Sequence, residues 1–392
     1  MTRISDPWLN HPATQRVCLA LTSGGAAALF VGGCVRNALL GVPVSDIDIA
    51  TDALPERVIS LADAAGIKAV PTGIEHGTVT LVEEGIPHEV TTFRRDISTD
   101  GRRAVVAFAA RVEEDAARRD FTMNALYAKP DGSVLDPLGG LPDLEGRRVR
   151  FIGTAENRIR EDYLRSLRYF RFHAWYGDAE QGFDPVALDA IAANVDGLSL
   201  LSKERVGAEL MKLCAAPDPA PSLAAMRTTG VLGQLLPGAD DRALAPLIHF
   251  ELETETDPDP ILRLATLGLE DPGPALRLSK ADGQRLIRLR QAATGTETAA
   301  ELAYRLGASD SLSALLLRGA LLEQPVGRDM FDQIATGACA EFPVKPVDLM
   351  PRLSGKALGD ALRDLEATWI KSGFHLSRQE LLSTMDEPPK EG

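Results

Sequence analysis

Cysteine is scarce in this chain: four in 392 residues (Cys18, Cys34, Cys214, Cys339), far apart and without a Cys-x-x-Cys pair. That usage speaks against a zinc site or a disulfide framework and fits a reducing cytoplasm. No run of eighteen apolar residues occurs, so no membrane span is expected. The opening residues, Met1 to Pro7, lack the charged-then-apolar layout of a signal peptide. Six scattered histidines with no His-Asp dyad speak against a histidine-metal phosphohydrolase module. There is no fixed-period repeat and no low-complexity tract.

What remains is an ordinary globular composition, 45% apolar and 25% charged, in a chain long enough for two or three domains. The net charge of −14 argues against a nucleic-acid binder, but it is unevenly spread. Between Arg94 and Phe172 stand 16 Lys and Arg against 13 Asp and Glu, a balance of +3 that leaves −17 elsewhere. Phosphates are gripped by local cations, so a basic middle on an acidic body still permits RNA binding.

Element signals divide the chain. Up to about Leu144 it reads as α/β, with a helix at Ala13–Leu21 and a buried strand at Ala28–Val31. A short helix Val35–Leu40, a strand Asp46–Ala50 and a helix Pro55–Ala65 with Gly66 as its C-cap come next. Strand-like runs follow around Lys68–Val70, Gly77–Val82 and Pro87–Phe93, with turns such as Glu83-Glu84-Gly85. After Phe151 the strand signal stops, and helical periodicity broken by Pro/Gly clusters runs to the end.

The most informative stretch is Leu29-Phe30-Val31-Gly32-Gly33-Cys34-Val35-Arg36, followed thirteen residues after Gly33 by Asp46-Ile47-Asp48. It reads as strand, paired-glycine turn, helix start with an arginine, then a strand with two carboxylates on one face. Glycines at a helix N-terminus admit a phosphate to the free N–H groups. Carboxylates beside an anion site repel that anion unless a divalent cation sits between, so Mg²⁺ bridging Asp46, Asp48 and a triphosphate is the economical reading. A turn and a solvated strand edge would account for each motif alone. Their order and spacing together suggest nucleotidyl transfer.

Other candidates follow along the chain. On Pro87–Phe93, Glu89 is either a third carboxylate facing the pair or a strand-edge acid. The polar run Asp96–Arg103 has no buried-element pattern, so a mobile loop is expected there, with Arg102 and Arg103 in reach of a phosphate. In Arg118-Arg119-Asp120-Phe121-Thr122-Met123-Asn124, Arg119 suits a phosphate or ribose and Asp120 a ribose hydroxyl; an ion pair at a helix start is the plainer account. The Pro/Gly-rich run Asp136–Leu144 reads as a hinge.

Asp162, Arg165 and Arg168 lie three apart on one helical face, with Arg171 beyond. Surface ion pairs would explain them, but so would a base. Cytosine and adenine both present an amino donor beside a ring-nitrogen acceptor. Asp162 can accept from the amino group while Arg165 donates to the ring nitrogen. Guanine and uracil mismatch both, at about 1–3 kcal/mol for each unpaired buried group.

Together these motifs resemble class II tRNA nucleotidyltransferases, the CCA-adding enzyme and bacterial poly(A) polymerase family of the polymerase-β superfamily. Gly32-Gly33-x-x-Arg36 with Asp46-x-Asp48 is similar to its catalytic motif, and Arg119-Asp120-Phe121-Thr122-x-Asn124-Ala125 to its ribose motif. Asp136–Leu144 resembles the hinge, Glu161-Asp162-x-x-Arg165 the nucleotide-selecting motif, and Ser202-Lys203-Glu204-Arg205 the helical motif after it. Asp100-Gly101-Arg102-Arg103 resembles the flexible loop used for terminal A addition. One departure is Asn37, where the family commonly has Asp.

The resemblance implies an α+β fold: a polymerase-β-like palm of mixed sheet and helices over residues 1–147, then an all-helical neck (148–215), body (216–330) and tail (331–392). It implies addition of CCA to the tRNA 3′ end from CTP and ATP, with two Mg²⁺ ions on Asp46 and Asp48. Gly33 and Arg36 would hold the triphosphate, Arg119 and Asp120 the ribose, and Asp162, Arg165, Arg168 and Arg171 the base. A poly(A) or A-adding enzyme of the same family is the nearest alternative, and a non-catalytic RNA-binding module the remote one.

Overall fold

The computed structural model describes residues 2–99, 104–269 and 273–385 and falls into two compact units. One runs to Ala239 and takes in Ala275–Arg277; the other holds Asp240–Pro274 and the chain from Leu278 onward.

The first unit opens with α1 (Pro12–Ser23), started by Pro12 at its first turn and by the His11 side chain, which accepts from the Ala13 N–H. Ala13, Val17 and Leu21 recur at helical spacing and are fully buried. Then come β1 (Leu29–Val31), α2 (Gly33–Leu40), β2 (Ile47–Thr51) and α3 (Pro55–Ala64). Gly41, left-handed at φ 68°, stops α2.

Next stand β3 (Lys68–Gly73), β4 (Thr78–Glu83) and β5 (Ile86–Thr92). Left-handed Glu84 and Gly85 make a two-residue turn whose twist suits the β4–β5 hairpin. The seven-stranded sheet runs β3-β4-β5-β2-β1-β8-β9, completed by β8 (Tyr127–Ala128) and β9 (Val134–Leu135). Its β2 and β5 are parallel, which sets Asp48 beside Glu89.

The polar run after Phe93 differs from the loop expected there. Arg94–Thr99 (β6) pairs antiparallel with Ala104–Phe108 (β7) in a separate two-stranded ribbon. Its backbone pairing supplies what the polar sequence hides, because hydrogen bonds along a ribbon need no apolar face. Asp100, Gly101, Arg102 and Arg103 lie outside the described residues.

Four helices carry the unit away from the sheet: α4 (Val112–Ala117), α5 (Leu141–Glu145), α6 (Ala155–Glu161) and α7 (Leu164–Tyr176). They are followed by α8 (Pro185–Ala193) and α9 (Lys203–Cys214). An aromatic cluster pins α7 to the head: Phe121 lies 5.0 Å from Phe151 and 5.1 Å from Phe172. Asp136 accepts from the N–H groups of Gly140 and Leu141 at 2.7 and 2.9 Å, so the hinge run is a cap for α5.

The second unit is helical throughout its described residues, with long helices at Lys280–Thr294, Ala299–Leu322 and Gly355–Lys371. Leu349, Leu365, Trp369 and Leu381 form one of its apolar clusters. No helix among the described residues is long and apolar enough to cross a membrane.

Gly140 packs the Asp136–Leu144 run against the segment that carries Thr122: a Cβ there would fall 2.3 Å from the Thr122 carbonyl oxygen. Gly140→Ala is therefore expected to cost about 2 kcal/mol of stability by overpacking, read as a lower denaturation midpoint. An unchanged midpoint would show that the hinge yields freely.

Candidate active site

The site is built on the strand–turn–helix of β1 and α2. Gly32 takes φ 71° and ψ −123°, a conformation open in practice to glycine alone. Its missing side chain also clears space: a Cβ would stand 3.4 Å from Arg119 Nη1 and 3.9 Å from Asp48 Oδ2. Arg119 and Asp48 thus converge on the turn. Asp48 is half-buried on β2 between the buried Ile47 and Ile49, as period-two alternation requires. Asp46 lies one residue before the strand, exposed, and accepts from Ser45 Oγ at 3.0 Å. Burial and the nearby charge of Glu89 push the Asp48 carboxyl up to about 6, with Asp46 adding to the rise and Arg119 opposing it. Three acids therefore stand near one another at the adjacent interior strands β2 and β5, yet no group of three His, Cys, Asp or Glu among the described residues is placed to hold a metal ion by itself.

Arg36, on the first turns of α2, is only 6% exposed. Its Nη1 donates to Asn124 Oδ1 at 2.6 Å, and its Nη2 to Asn37 Oδ1 and the Tyr176 hydroxyl, both at 2.8 Å. Nε also reaches Asn37, at 3.2 Å, and the guanidinium lies 4.0 Å from the Tyr176 ring centre. Asn37 turns its own amide to the Pro43 carbonyl at 2.9 Å, folding the segment after α2 back on the helix. Burial lowers the affinity of Arg36 for its proton, partly offset by Tyr176.

Arg119 and Asp120 diverge. Arg119 donates to Asp115 at 3.1 Å and to the Tyr127 hydroxyl at 3.2 Å while its Nη1 faces Gly32. Asp120 is 7% exposed and fully engaged. It accepts from Asn124 Nδ2 at 2.9 Å, from the Phe121 N–H at 2.8 Å, and from Arg168 Nε at 2.8 Å. Burial pushes its carboxyl up, but Arg168 and these donors prevail and hold it at about 2.

The base-reading candidates are likewise partnered. Asp162 accepts from the Leu164 N–H at 3.1 Å and from Arg205 Nη2 at 2.7 Å. Arg165 turns away from Asp162 and donates to Glu161 at 2.6 Å and to the carbonyls of Arg158 and Arg118. Arg171 pairs with Glu209 at 2.6 Å, and Arg36, Arg168 and Arg171 all lie within about 5 Å of the Phe172 ring.

Comparison with known proteins bears on this geometry. Residues 28–150 match the poly A polymerase head domain and 182–242 a probable RNA and SrmB-binding site of polymerase A. The CCA-adding enzyme of Geobacillus thermodenitrificans is 34% identical over 367 residues, spanning 90% of this chain and 87% of its own. The human mitochondrial CCA tRNA nucleotidyltransferase 1 is 34% identical over 384 residues, covering 90% and 85%. The chain belongs to the CCA-adding enzyme family. Its fold agrees: the Bacillus stearothermophilus CCA-adding enzyme, solved in complex with CTP, superposes with a TM-score of 0.71 at 28% identity, over 92% of this chain and 94% of that one.

Two residues around the site, Asp115 and Tyr176, escaped sequence reasoning, as did the partners of Glu161 and Arg205, which were noted only as members of motifs. Asp115, 1% exposed in its side chain, ties Arg118, Arg119 and the Tyr127 hydroxyl together. Tyr176 meets Arg36 across 140 residues, Arg205 meets Asp162 across 43, and Glu161 takes Arg165. Glu161 had a signal in its four-residue spacing to Arg165; the long-range pairs had none.

The depressed Asp120 carboxyl has a pH signature. A carboxylate held below its unfolded value, near 3.9, stabilises the fold above that value and loses the contribution as pH falls through the folded value of about 2. Asp120→Asn should cost about 3 kcal/mol at pH 7 by stranding Arg168. The gap to wild type should shrink below about pH 4. Urea titrations at pH 7 and pH 3 test this; a pH-independent gap would mean that the pair carries no linked proton.

Proposed function

We propose that this chain adds C, C and A to the 3′ end of tRNA from CTP and ATP without a nucleic-acid template. The observation that carries the reading is the convergence of Asp48 and Arg119 on the Gly32 turn, in a chain about a third identical to curated CCA-adding enzymes over most of its length. The relatives' names do not favour a poly(A) polymerase. Acids crowded beside a phosphate turn make little sense in a non-catalytic RNA-binding module.

The donor set fits a divalent cation. Asp46 and Asp48, with Glu89 in register beside Asp48, concentrate negative charge, which Arg119 opposes at Asp48. Asp46 and Asp48 would hold two Mg²⁺, with phosphate oxygens and water completing the shell. Such ions lower the pKa of a primer 3′-hydroxyl and stabilise departing pyrophosphate. The chain's own work is then positional. Gly32 and Gly33 bring backbone N–H groups to the phosphates, Arg36 and Arg119 supply fixed positive charge, and Asp120 holds Arg168 and Asn124 in place. Base choice falls to Asp162, whose carboxylate sits between Arg205 and the start of α7; Arg165 must leave Glu161 to join it. The loop Asp100–Arg103 would serve the last A, and the helical neck, body and tail the tRNA. Four scattered cysteines, three of them buried, suit a reducing compartment such as the cytoplasm.

Incubation with tRNAs ending before, within and after CC, with each NTP singly, tests the reading. CMP should enter the first two and AMP only the tRNA ending in CC; long A tails would overturn it. Asp46→Ala and Asp48→Ala should each abolish both incorporations with tRNA binding retained, and wild-type turnover in either would remove the metal reading. Asp162→Ala should shrink the preference for CTP over UTP by roughly one to two orders of magnitude. If single-nucleotide incorporation keeps its selectivity and only stability drops, Asp162 is merely the partner of Arg205.

A further inference from the structure

Around the phosphate turn and the head of α7, arginines pair with acids: Arg119 with Asp115, Arg165 with Glu161, Arg168 with Asp120 and Arg171 with Glu209. Among the described residues Arg36 has no ion pair. It is also more deeply buried than those four, where an arginine ordinarily demands a carboxylate.

Neutral groups take the carboxylate's place. Nε and one Nη2 N–H go to Asn37 Oδ1, the second Nη2 N–H to the Tyr176 hydroxyl, and one Nη1 N–H to Asn124. Of the five donors of a guanidinium, that leaves one, on Nη1. The Tyr176 ring meanwhile offers its negative face to the guanidinium at 4.0 Å. Position 37, where the family commonly carries an acid, holds an amide. Gly33 lies alongside: a Cβ there would stand 3.9 Å from Arg36 Nη2. Four of the five donors are filled by neutral oxygens, and the acid that favours the charge, Asp120, is linked to the guanidinium through Asn124 and not by an ion pair.

We propose that Tyr176 is a positioning residue for nucleotide binding: with Asn37 it clamps the Arg36 guanidinium beside the phosphate turn through neutral contacts, leaving it without a direct ion pair and available to the triphosphate. This rests on the reading above that the turn receives a triphosphate. An acid in Tyr176's place would satisfy the same donors but cancel the charge that an incoming phosphate must meet in a low-dielectric setting. A leucine there would free a donor and let the guanidinium tilt from the turn.

The test uses the full chain, with inorganic tripolyphosphate as a probe that needs neither tRNA nor turnover. Tyr176→Leu should weaken calorimetric binding of tripolyphosphate and CTP roughly ten-fold, and Tyr176→Phe, which keeps the ring and loses the hydroxyl, roughly three-fold. KM for CTP and for ATP should rise in the same proportion while kcat changes by less than about two-fold, because Tyr176 acts on ground-state and transition-state phosphates alike. Tyr176→Phe guards against a folding failure, since it preserves the packing against Phe172. If wild type binds tripolyphosphate and the variants lose it while no CMP is added to any tRNA, the clamp stands and the tRNA reading fails. The proposal is overturned if both variants bind as wild type, if wild type does not bind tripolyphosphate, or if kcat falls with KM unchanged.

Discussion

A closed ring of buried polar contacts holds the site together, and most of the site geometry depends on it. Arg168 donates to Asp120, Asp120 accepts from Asn124, Asn124 accepts from Arg36, and Arg36 donates to Tyr176. Arg168 and Tyr176 both belong to α7, so the ring begins and ends on one helix while passing through the 119–125 motif and α2. Buried networks of this kind stabilise only when every member is satisfied. Here all but one Arg36 donor is filled, and the result couples the Gly32 turn to α7. The Phe121–Phe151–Phe172 cluster beside the ring supplies the apolar burial that fixes α7 there.

Charge around the ring is arranged, not balanced. On the sheet side, partial burial and the nearby Glu89 and Asp46 push the Asp48 carboxyl up to about 6. On the helix side, Arg36 stands without a direct ion pair among the described residues. Between them Arg119 faces the turn while Asp115 holds it from behind. A nucleoside triphosphate is complementary to one side through its phosphates and to the other only through cations that travel with it. The protein thus supplies half of each interaction and leaves the substrate to complete it.

How much of this was legible beforehand follows from the range of the forces involved. The α1, β1, α2, α3, β4 and β5 elements were legible because each is a local apolar period with its own cap or turn. The Gly32-Gly33 turn and the Asp46-x-Asp48 spacing were legible because their chemistry is written within twenty residues. Asp46 falls just outside β2, since strand pairing with β5 begins at Ile47 and His88. The β6–β7 ribbon was missed because its pairing is backbone to backbone. Arg165 was expected beside Asp162 from helical spacing, but α6 ends at Glu161 and Asp162 is extended at φ −154°. That break turns the acid toward Arg205 on α9 and leaves Arg165 to Glu161. Partners 43 or 140 residues away are set by how helices pack, and no local pattern announces them.

The departure at Asn37 acquires a physical meaning in this setting. An acid after the arginine would lie within hydrogen-bonding range of a guanidinium that already has its donors nearly filled by neutral oxygens. With the amide, Oδ1 still accepts from Nε and Nη2, and Nδ2 gains a bond to Pro43 that a carboxylate cannot make. Tyr176 then adds both a hydroxyl acceptor and a ring face, two neutral contacts in the place of one charged pair. The amide and the tyrosine thus hold the buried cation without a direct ion pair, and under the proposed reading a bound triphosphate would provide the anion.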